Sequence, residues 1–196
     1  MTQAESLRRT LEFALELDKL KAVSRRTKPV GLERYENSAE HSWHVCLLAL
    51  VLADRAAEEI DIGRVVEMLL VHDIPEIDAG DRYVYDPASE DHAATERGAA
   101  RRLFGLLPEP HATVCFERWE EFTSGGTPDA RFARAVDRLM PVLQNLANGG
   151  QSWRENGVGI DQVLSINAGI ADAAPSVWEE VRRRLREAES RGLFRA

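Results

Sequence analysis

Apolar residues recur three or four positions apart along most of the chain, and no segment alternates apolar and polar positions as a half-buried strand would. The pattern predicts an all-α fold. Leu7, Leu11, Ala14, Leu15 and Leu17 form one stripe and predict a helix from about Glu5 to Ala22. The polar stretch from Ser24 to Ser38, with Pro29 and Gly31, reads as a long loop. An apolar helix follows from about Ser38 to Glu59, with Ser38 placed to cap it. Asp61 is placed to cap a helix over Ile62–His72, and Pro75 limits its continuation. A second long loop, rich in Gly, Pro and Asp, spans Glu76 to Ser89. Helices resume over Glu90–Leu107 and Pro108–Phe122. The string from Thr123 to Asp129 is a break and a restart, with Thr127 as cap and Pro128 at the first position of a helix carrying Arg131 to Asn148. Asp161–Ala171 and Pro175–Arg191 complete the helices, the last so charged that it reads as a solvated outer helix.

With 196 residues, the chain fits one domain over residues 1–196, since domains usually run to ~100–200 residues. Hydrophobic residues make up 44% and charged residues 30%, which supports one sizeable core and excludes disorder. The net charge of −8 repels phosphate backbones, so nucleic-acid polymers and anionic membranes are disfavoured partners, although clustered arginines could still hold a small anion. Cys46 and Cys115 are alone and far apart, which excludes a disulfide framework or a thiolate zinc site and fits a reducing compartment. The apolar run Val45 to Ala53 is shorter than the ~20 residues that span a bilayer. MTQAESLRRTLEF at the start has no signal-peptide core, so a cytoplasmic location is expected.

His72-Asp73 closes an apolar run, Val65 to Val71, and buried polar groups need partners. Taken alone, the pair could be hydrogen-bonded to its neighbours or could share a cation. His41 lies one turn into the preceding helix. Asp137 sits between the apolar Ala135, Val136, Leu139 and Met140, an expensive setting for a carboxylate without a counter-charge. Pro141 removes the N–H that would bond the Asp137 carbonyl and predicts a kink beside the acid, unless the proline is purely structural. Trp43, Trp119, Trp153 and Trp178 read as core or interhelical anchors, and Cys46 as packing.

The series His41 … His72-Asp73 … Asp137 resembles the H…HD…D signature of the HD-domain metal-dependent phosphohydrolase superfamily. The blocks ENSAEHSWHV (Glu36–Val45), LLVHDIPEIDAGD (Leu69–Asp81), RWEEF (Arg118–Phe122) and FARAVDRL (Phe132–Leu139) are more specific. They resemble the branch holding the single-metal 5′-deoxynucleotidases, over about residues 11–150. The resemblance implies a helical bundle of the HD-domain type, with helices 159–191 packed on that motif core. It implies one divalent cation held by His41, His72, Asp73 and Asp137. Two imidazoles and two carboxylates without a thiolate suit Mn, Co, Ni, Fe or Zn, with Mg also open, and affinity order does not choose among them.

The resemblance further implies that Glu76 activates or positions the attacking water and that Asp81 orients it or protonates the leaving oxygen. Arg25 and Arg26 fall where the family binds phosphate and sugar with an Arg followed by a Trp; here the second position is Arg26, which puts selection of 2′-deoxyribose in question. The implied substrate is a small phosphorylated metabolite, most simply a nucleoside 5′-monophosphate. The implied assembly is a homodimer. A phosphodiesterase or triphosphohydrolase on the same centre, and a metal-stabilised binding protein without turnover, are the rivals. Ferritin-like Glu-x-x-His pairs, H-E-x-x-H and the P-loop pattern are all absent.

Overall fold

A computed structural model describes residues 1–87 and 90–194. The described residues are all-α: helices α1 (Gln3–Leu17), α2 (Ser38–Leu52), α3 (Ile62–Val71), α4 (Glu76–Ala79), α5 (Glu90–Phe104), α6 (His111–Ser124), α7 (Pro128–Ala147), α8 (Gln151–Asn156), α9 (Ile160–Ile166), α10 (Ile170–Ala173) and α11 (Pro175–Ser190). Short 3-10 turns follow α1 and α2, at Asp18–Ala22 and Ala53–Arg55. The predicted first helix is therefore two elements, and the second ends before Glu59.

The longest helix, α7, organises the packing because both its faces are apolar. One face puts Phe132, Val136 and Met140 against Val45 and Ala49 of α2 and Val65, Met68 and Leu69 of α3. The other puts Ala135, Leu139 and Val142 against Trp153, Val163, Ile170, Val181 and Leu185. A third cluster, with Val71, Ile74, Leu103, Phe104 and Trp119, joins the end of α3 to α5 and α6. Thr127 caps α7 as expected, accepting from Ala130 N at 3.1 Å with Pro128 in the first turn. Asp61 caps α3 through the amides of Gly63 and Arg64. Pro141 lies inside α7, which runs on through it to Ala147.

The cap of α2 differs from expectation. Asn37, not Ser38, accepts from Glu40 N at 3.0 Å, and the Glu40 carboxylate returns to the Asn37 amide, a reciprocal capping box. This leaves the Ser38 hydroxyl free to bond Glu76. The preceding loop closes on itself: Ser24 and Asn37 form an antiparallel bridge, Arg25 N donates to Glu36 O at 2.9 Å, and Glu36 N donates to Thr27 O at 2.9 Å. The second loop opens with the single turn α4, and its predicted last residue, Ser89, lies outside the described residues.

Further differences sit in the last third. The predicted helix Asp161–Ala171 is broken at Asn167–Gly169 into α9 and α10, and α8 is an additional turn. Gly150 and Gly157 bound α8 at positive φ (74° and 66°), and a Cβ on Gly150 would lie 2.7 Å from the Leu193 carbonyl. α11 is charged on one side only; Trp178, Val181, Leu185 and Ala188 are buried. Trp119, Trp153 and Trp178 are interior anchors, but Trp43 is 65% exposed. α2 is apolar all round, so its pattern does not say which side meets the core. α1 buries no residue and is pinned by Arg9, which donates to the carbonyls of Gly105, Leu106 and Leu107 beyond the end of α5 at 2.6, 3.0 and 2.9 Å. Among the described residues, no helix is long and apolar enough to cross a membrane.

Removing the Asn37 cap costs about 1 kcal/mol by the usual value for such residues. Asn37→Ala is expected to lower the thermal midpoint by about 2–4 °C in a chain of this length, read by circular dichroism, whereas Ser38→Ala leaves the capping box intact.

Candidate metal centre

The three helices of the first apolar cluster carry the polar residues that converge beside it. His41 is one turn into α2 and fully buried. His72 is the residue after α3, still in right-handed helical conformation, and its Nδ1 lies 2.7 Å from the Leu69 carbonyl. That contact makes Nδ1 the donor and turns the Nε2 lone pair toward the acids. One ligand atom each from His41, His72 and Asp73 lies within 4.8 Å of the others. Asp137 Oδ1 reaches the same point from α7, 2.9 Å from His41 Nε2 and 3.6 Å from His72 Nε2.

The arrangement fits a divalent cation on its own chemistry. His72 Nε2 is buried and lacks hydrogen-bond geometry to any partner, although Asp73 Oδ1 is only 3.0 Å away. An imidazole lone pair facing carboxylate oxygens repels them unless a proton or a metal ion lies between. Burial opposes charge on His72, yet Asp73 and Asp137 outweigh it and push the ring pKa up to about 9. Burial also opposes the Asp137 carboxylate, but His41 and His72 hold its pKa well below the ordinary value. The centre can thus hold a proton or a cation on two imidazoles and two carboxylates.

Glu76 and Asp81 stand next to this group. Ser38 Oγ donates to Glu76 Oε2 at 2.6 Å. Burial, with Asp73 and Asp81 adding to it against Arg25 and Ser38, pushes the Glu76 pKa up to about 9. Burial likewise raises the pKa of Asp81, with Arg25 opposing. Arg25 is the shared counter-charge, donating to Asp73 Oδ2 at 2.9 Å, with Asp81 and Glu36 each 3.7 Å away. Burial disfavours its charge, but Asp73, Asp81, Glu76 and Asp137 raise its pKa instead.

Arg26 stands farther out and half-exposed. It donates to Asn156 Oδ1 at 2.9 Å, lies 3.4 Å from Asp86, and covers the Tyr83 ring 5.0 Å from its centroid. The structure therefore brings His41, His72, Asp73, Asp137, Glu76, Asp81 and Arg25 together and leaves Arg26 at the mouth. A cavity of about 280 Å³ opens on all of these except fully buried His41, and is lined also by Tyr83, Tyr85, Phe122, Arg134 and Arg138.

Glu36 is the neighbour that motif reasoning passed over. It is 2% exposed, with Oε2 3.4 Å from His41 Nδ1 and Oε1 accepting from Gln144 Nε2 at 2.6 Å. Burial opposes its charge, but His41, Arg25 and Gln144 keep its pKa below the ordinary value, so a carboxylate backs the His41 ring. The available signal was its place in the ENSAEH block, five residues before His41.

Two histidines and two aspartates, largely buried and drawn from α2, the end of α3 and α7, define a helical metal-binding fold. The chain belongs to the HD domain family, whose profile matches residues 17–178. A crystal structure described as a predicted metal-dependent phosphohydrolase from Magnetospirillum magnetotacticum MS-1 is 42% identical, covers 97% of this chain and 98% of its own, and superposes with a TM-score of 0.92. A conserved hypothetical protein from Pyrococcus furiosus shares the fold at 17% identity and TM-score 0.61, covering 92% and 99%. Among curated proteins, the 5′-deoxynucleotidase HDDC2 of Bos taurus is 31% identical over 70% of this chain and 66% of its own length, and that of Homo sapiens 29% over 58% and 55%. The matched part of the chain thus spans less than two thirds of these relatives.

Two outcomes follow from the geometry. A His72 pKa raised from 6.5 to about 9 means that the metal-free protein is stabilised by the ring proton, fully so below pH 6.5 and no longer once pH rises through about 9. Metal must displace that proton, so Mn²⁺ titration calorimetry is expected to show proton release and affinity increasing with pH up to about 9. Glu36→Gln, which keeps shape but removes the charge behind His41, is expected to weaken Mn²⁺ binding by about 10–100-fold.

Proposed function

We propose that this chain is a metal-dependent phosphohydrolase, a phosphomonoesterase that releases orthophosphate from nucleoside 5′-monophosphates. The observation that carries the reading is the convergence of His41, His72, Asp73 and Asp137 beside buried Arg25, in a cavity of about 280 Å³. That volume is just under the ~300–1,000 Å³ of typical small-molecule sites and suits one nucleotide rather than a polymer. The names carried by the Magnetospirillum magnetotacticum structure and the HDDC2 proteins support the same class.

A divalent cation on His41, His72, Asp73 and Asp137 would polarise a phosphoryl oxygen and lower the pKa of a bound water. Arg25 carries positive charge into a desolvated site, where its planar fork matches phosphate oxygens, and its bond to Asp73 fixes it next to the centre. Glu76 holds or moves a proton at Oε2, steadied by the Ser38 hydroxyl; positive charge at the adjoining ligands favours the carboxylate that accepts it. Asp81, its pKa raised by burial, is suited to return a proton to the leaving oxygen. Arg26 over Tyr83 forms the rim that meets the sugar or base. The family resemblance implies a tryptophan at the position that Arg26 fills, so both ribo- and deoxyribonucleotides are proposed substrates.

Within this reading, the chain is one catalytic domain acting in the cytoplasm as a homodimer. Exposed Trp43, Leu47, Leu50 and Val51 on α2 support self-association.

The test is a panel of ribo- and deoxyribonucleoside monophosphates assayed for phosphate release with Mn²⁺ or Co²⁺. Glu76→Gln is expected to lower kcat by about 10²–10⁴-fold, and His72→Ala to abolish release. Wild-type release no higher than that of His72→Ala defeats the enzyme reading. Pyrophosphate or triphosphate as product moves it to a triphosphohydrolase, and hydrolysis of cyclic nucleotides alone to a phosphodiesterase.

A further inference from the structure

α7 presents two arginines around the candidate ligand Asp137: Arg134 three residues before it and Arg138 directly after. Residues three apart on a helix have Cβ atoms ~5–6 Å from each other, and the next residue along is rotated by ~100°. Both side chains therefore start within one turn of the centre. Both line the cavity that holds His72, Asp73, Glu76 and Asp81. Both also line an adjoining recess of about 210 Å³, together with Arg131, Asn167 and Asp172.

Their partners set them apart from the other arginines near the site. Arg134 Nη1 donates to the Thr123 carbonyl at 2.7 Å, and Arg138 Nη1 to the Ile166 carbonyl at 3.0 Å. A carbonyl satisfies an N–H direction but supplies no counter-charge. Among the described residues, no carboxylate oxygen lies within ion-pair distance, 4.0 Å, of either guanidinium, including that of Asp172 in the shared recess. Burial first, and then the Arg138 charge, lower the Arg134 pKa, with Asp137 opposing. By contrast, Arg25 is surrounded by Asp73, Asp81 and Glu36; Arg26 pairs with Asp86, and Arg131 meets Glu58 at 2.6 Å. In a chain of net charge −8, two neighbouring cations that line a cavity and have no ion-pair partner among the described residues mark a place for an incoming anion.

We propose that Arg134 and Arg138 form a second phosphate subsite, so that the pocket prefers a nucleotide with two phosphate groups, one at the His41–His72–Asp73–Asp137 centre and one on the α7 arginines. The inference rests on the phosphohydrolase reading and narrows its substrate class. Arg25 is engaged with three acids at the first position, which leaves the second phosphate to the α7 pair. That phosphate could be carried on another ribose oxygen or in a chain on the same one.

Binding separates this proposal from turnover. Mn²⁺-loaded protein, in the Glu76→Gln background that slows turnover, is titrated calorimetrically with adenosine 5′-monophosphate, adenosine 3′,5′-bisphosphate and adenosine 5′-diphosphate. At least one two-phosphate ligand is expected to bind about tenfold or more tightly than the monophosphate, the value of one extra charge-assisted contact. Preference for the bisphosphate places the second group on the ribose, and preference for the diphosphate places it in a chain. The double variant R134Q/R138Q is expected to lose the preference while retaining monophosphate affinity, and R134K/R138K to keep part of it; thermal unfolding verifies that both fold. Equal affinities with both arginines in place, no binding of any ligand, or parallel loss of monophosphate binding in R134Q/R138Q overturns the subsite. A two-phosphate preference without hydrolysis by the wild-type protein leaves the subsite standing and removes the enzyme reading; monophosphate turnover without the preference does the reverse.

Discussion

The crowding of Asp73, Glu76, Asp81 and Glu36 around the largely buried guanidinium of Arg25, with Asp137 facing the two imidazoles, is the constraint that governs this molecule. Like charges at this spacing cannot all ionise in a desolvated place without compensation. Arg25 supplies part of it. Protons on His72 and Glu76 supply another part, which is why both groups titrate far above their ordinary range. The imidazole lone pairs and acid oxygens that remain aimed at one another are what a divalent cation would neutralise. The hydrophobic clusters on either side of α7 make this tolerable, because they fix α2, α3 and α7 and so deny the acids the option of separating.

The distribution of backbone caps serves the same constraint. Asn37 takes the capping duty at α2, so the Ser38 hydroxyl can reach Glu76 Oε2. The Leu69 carbonyl, one of the unpaired carbonyls at the end of α3, takes the His72 Nδ1 proton. The clasp between Arg25 and Glu36 is a main-chain contact that also places the Glu36 carboxylate between the Arg25 guanidinium, 3.7 Å away, and the His41 ring, 3.4 Å away.

Much of this was legible in the residues. Helical periodicity exposed the all-α class and the Thr127 and Asp61 caps, because those signals are local. The family resemblance of the H…HD…D order brought His41, His72, Asp73 and Asp137 forward as candidate ligands, and Asp137 stood out by itself because a carboxylate between Val136 and Leu139 is costly to bury without a counter-charge or a cation. Glu36 was less legible: its nearness to His41 is created by the 24–37 clasp, a contact that leaves no period in the sequence. The outward Trp43 was misread because α2 is apolar on every side. The short α8 and the break at Asn167–Gly169 escaped because six residues between glycines, five of them polar, and one helix with an interruption carry too few turns for periodicity to resolve. The environment of Arg134 and Arg138 is tertiary, decided by which carbonyls their guanidinium groups meet.

The placement of His72 and Asp73 just beyond α3 makes the spacing from Asp61 a matter of angular registration. One residue added within Ile62–Val71 would swing both side chains by ~100° around the helix axis and carry them away from His41 and Asp137. Extra residues between Ala56 and Asp61, ahead of that cap, would instead be absorbed as slack before α3 begins. Length variation among natural homologues should therefore collect on the near side of Asp61 and vanish beyond it.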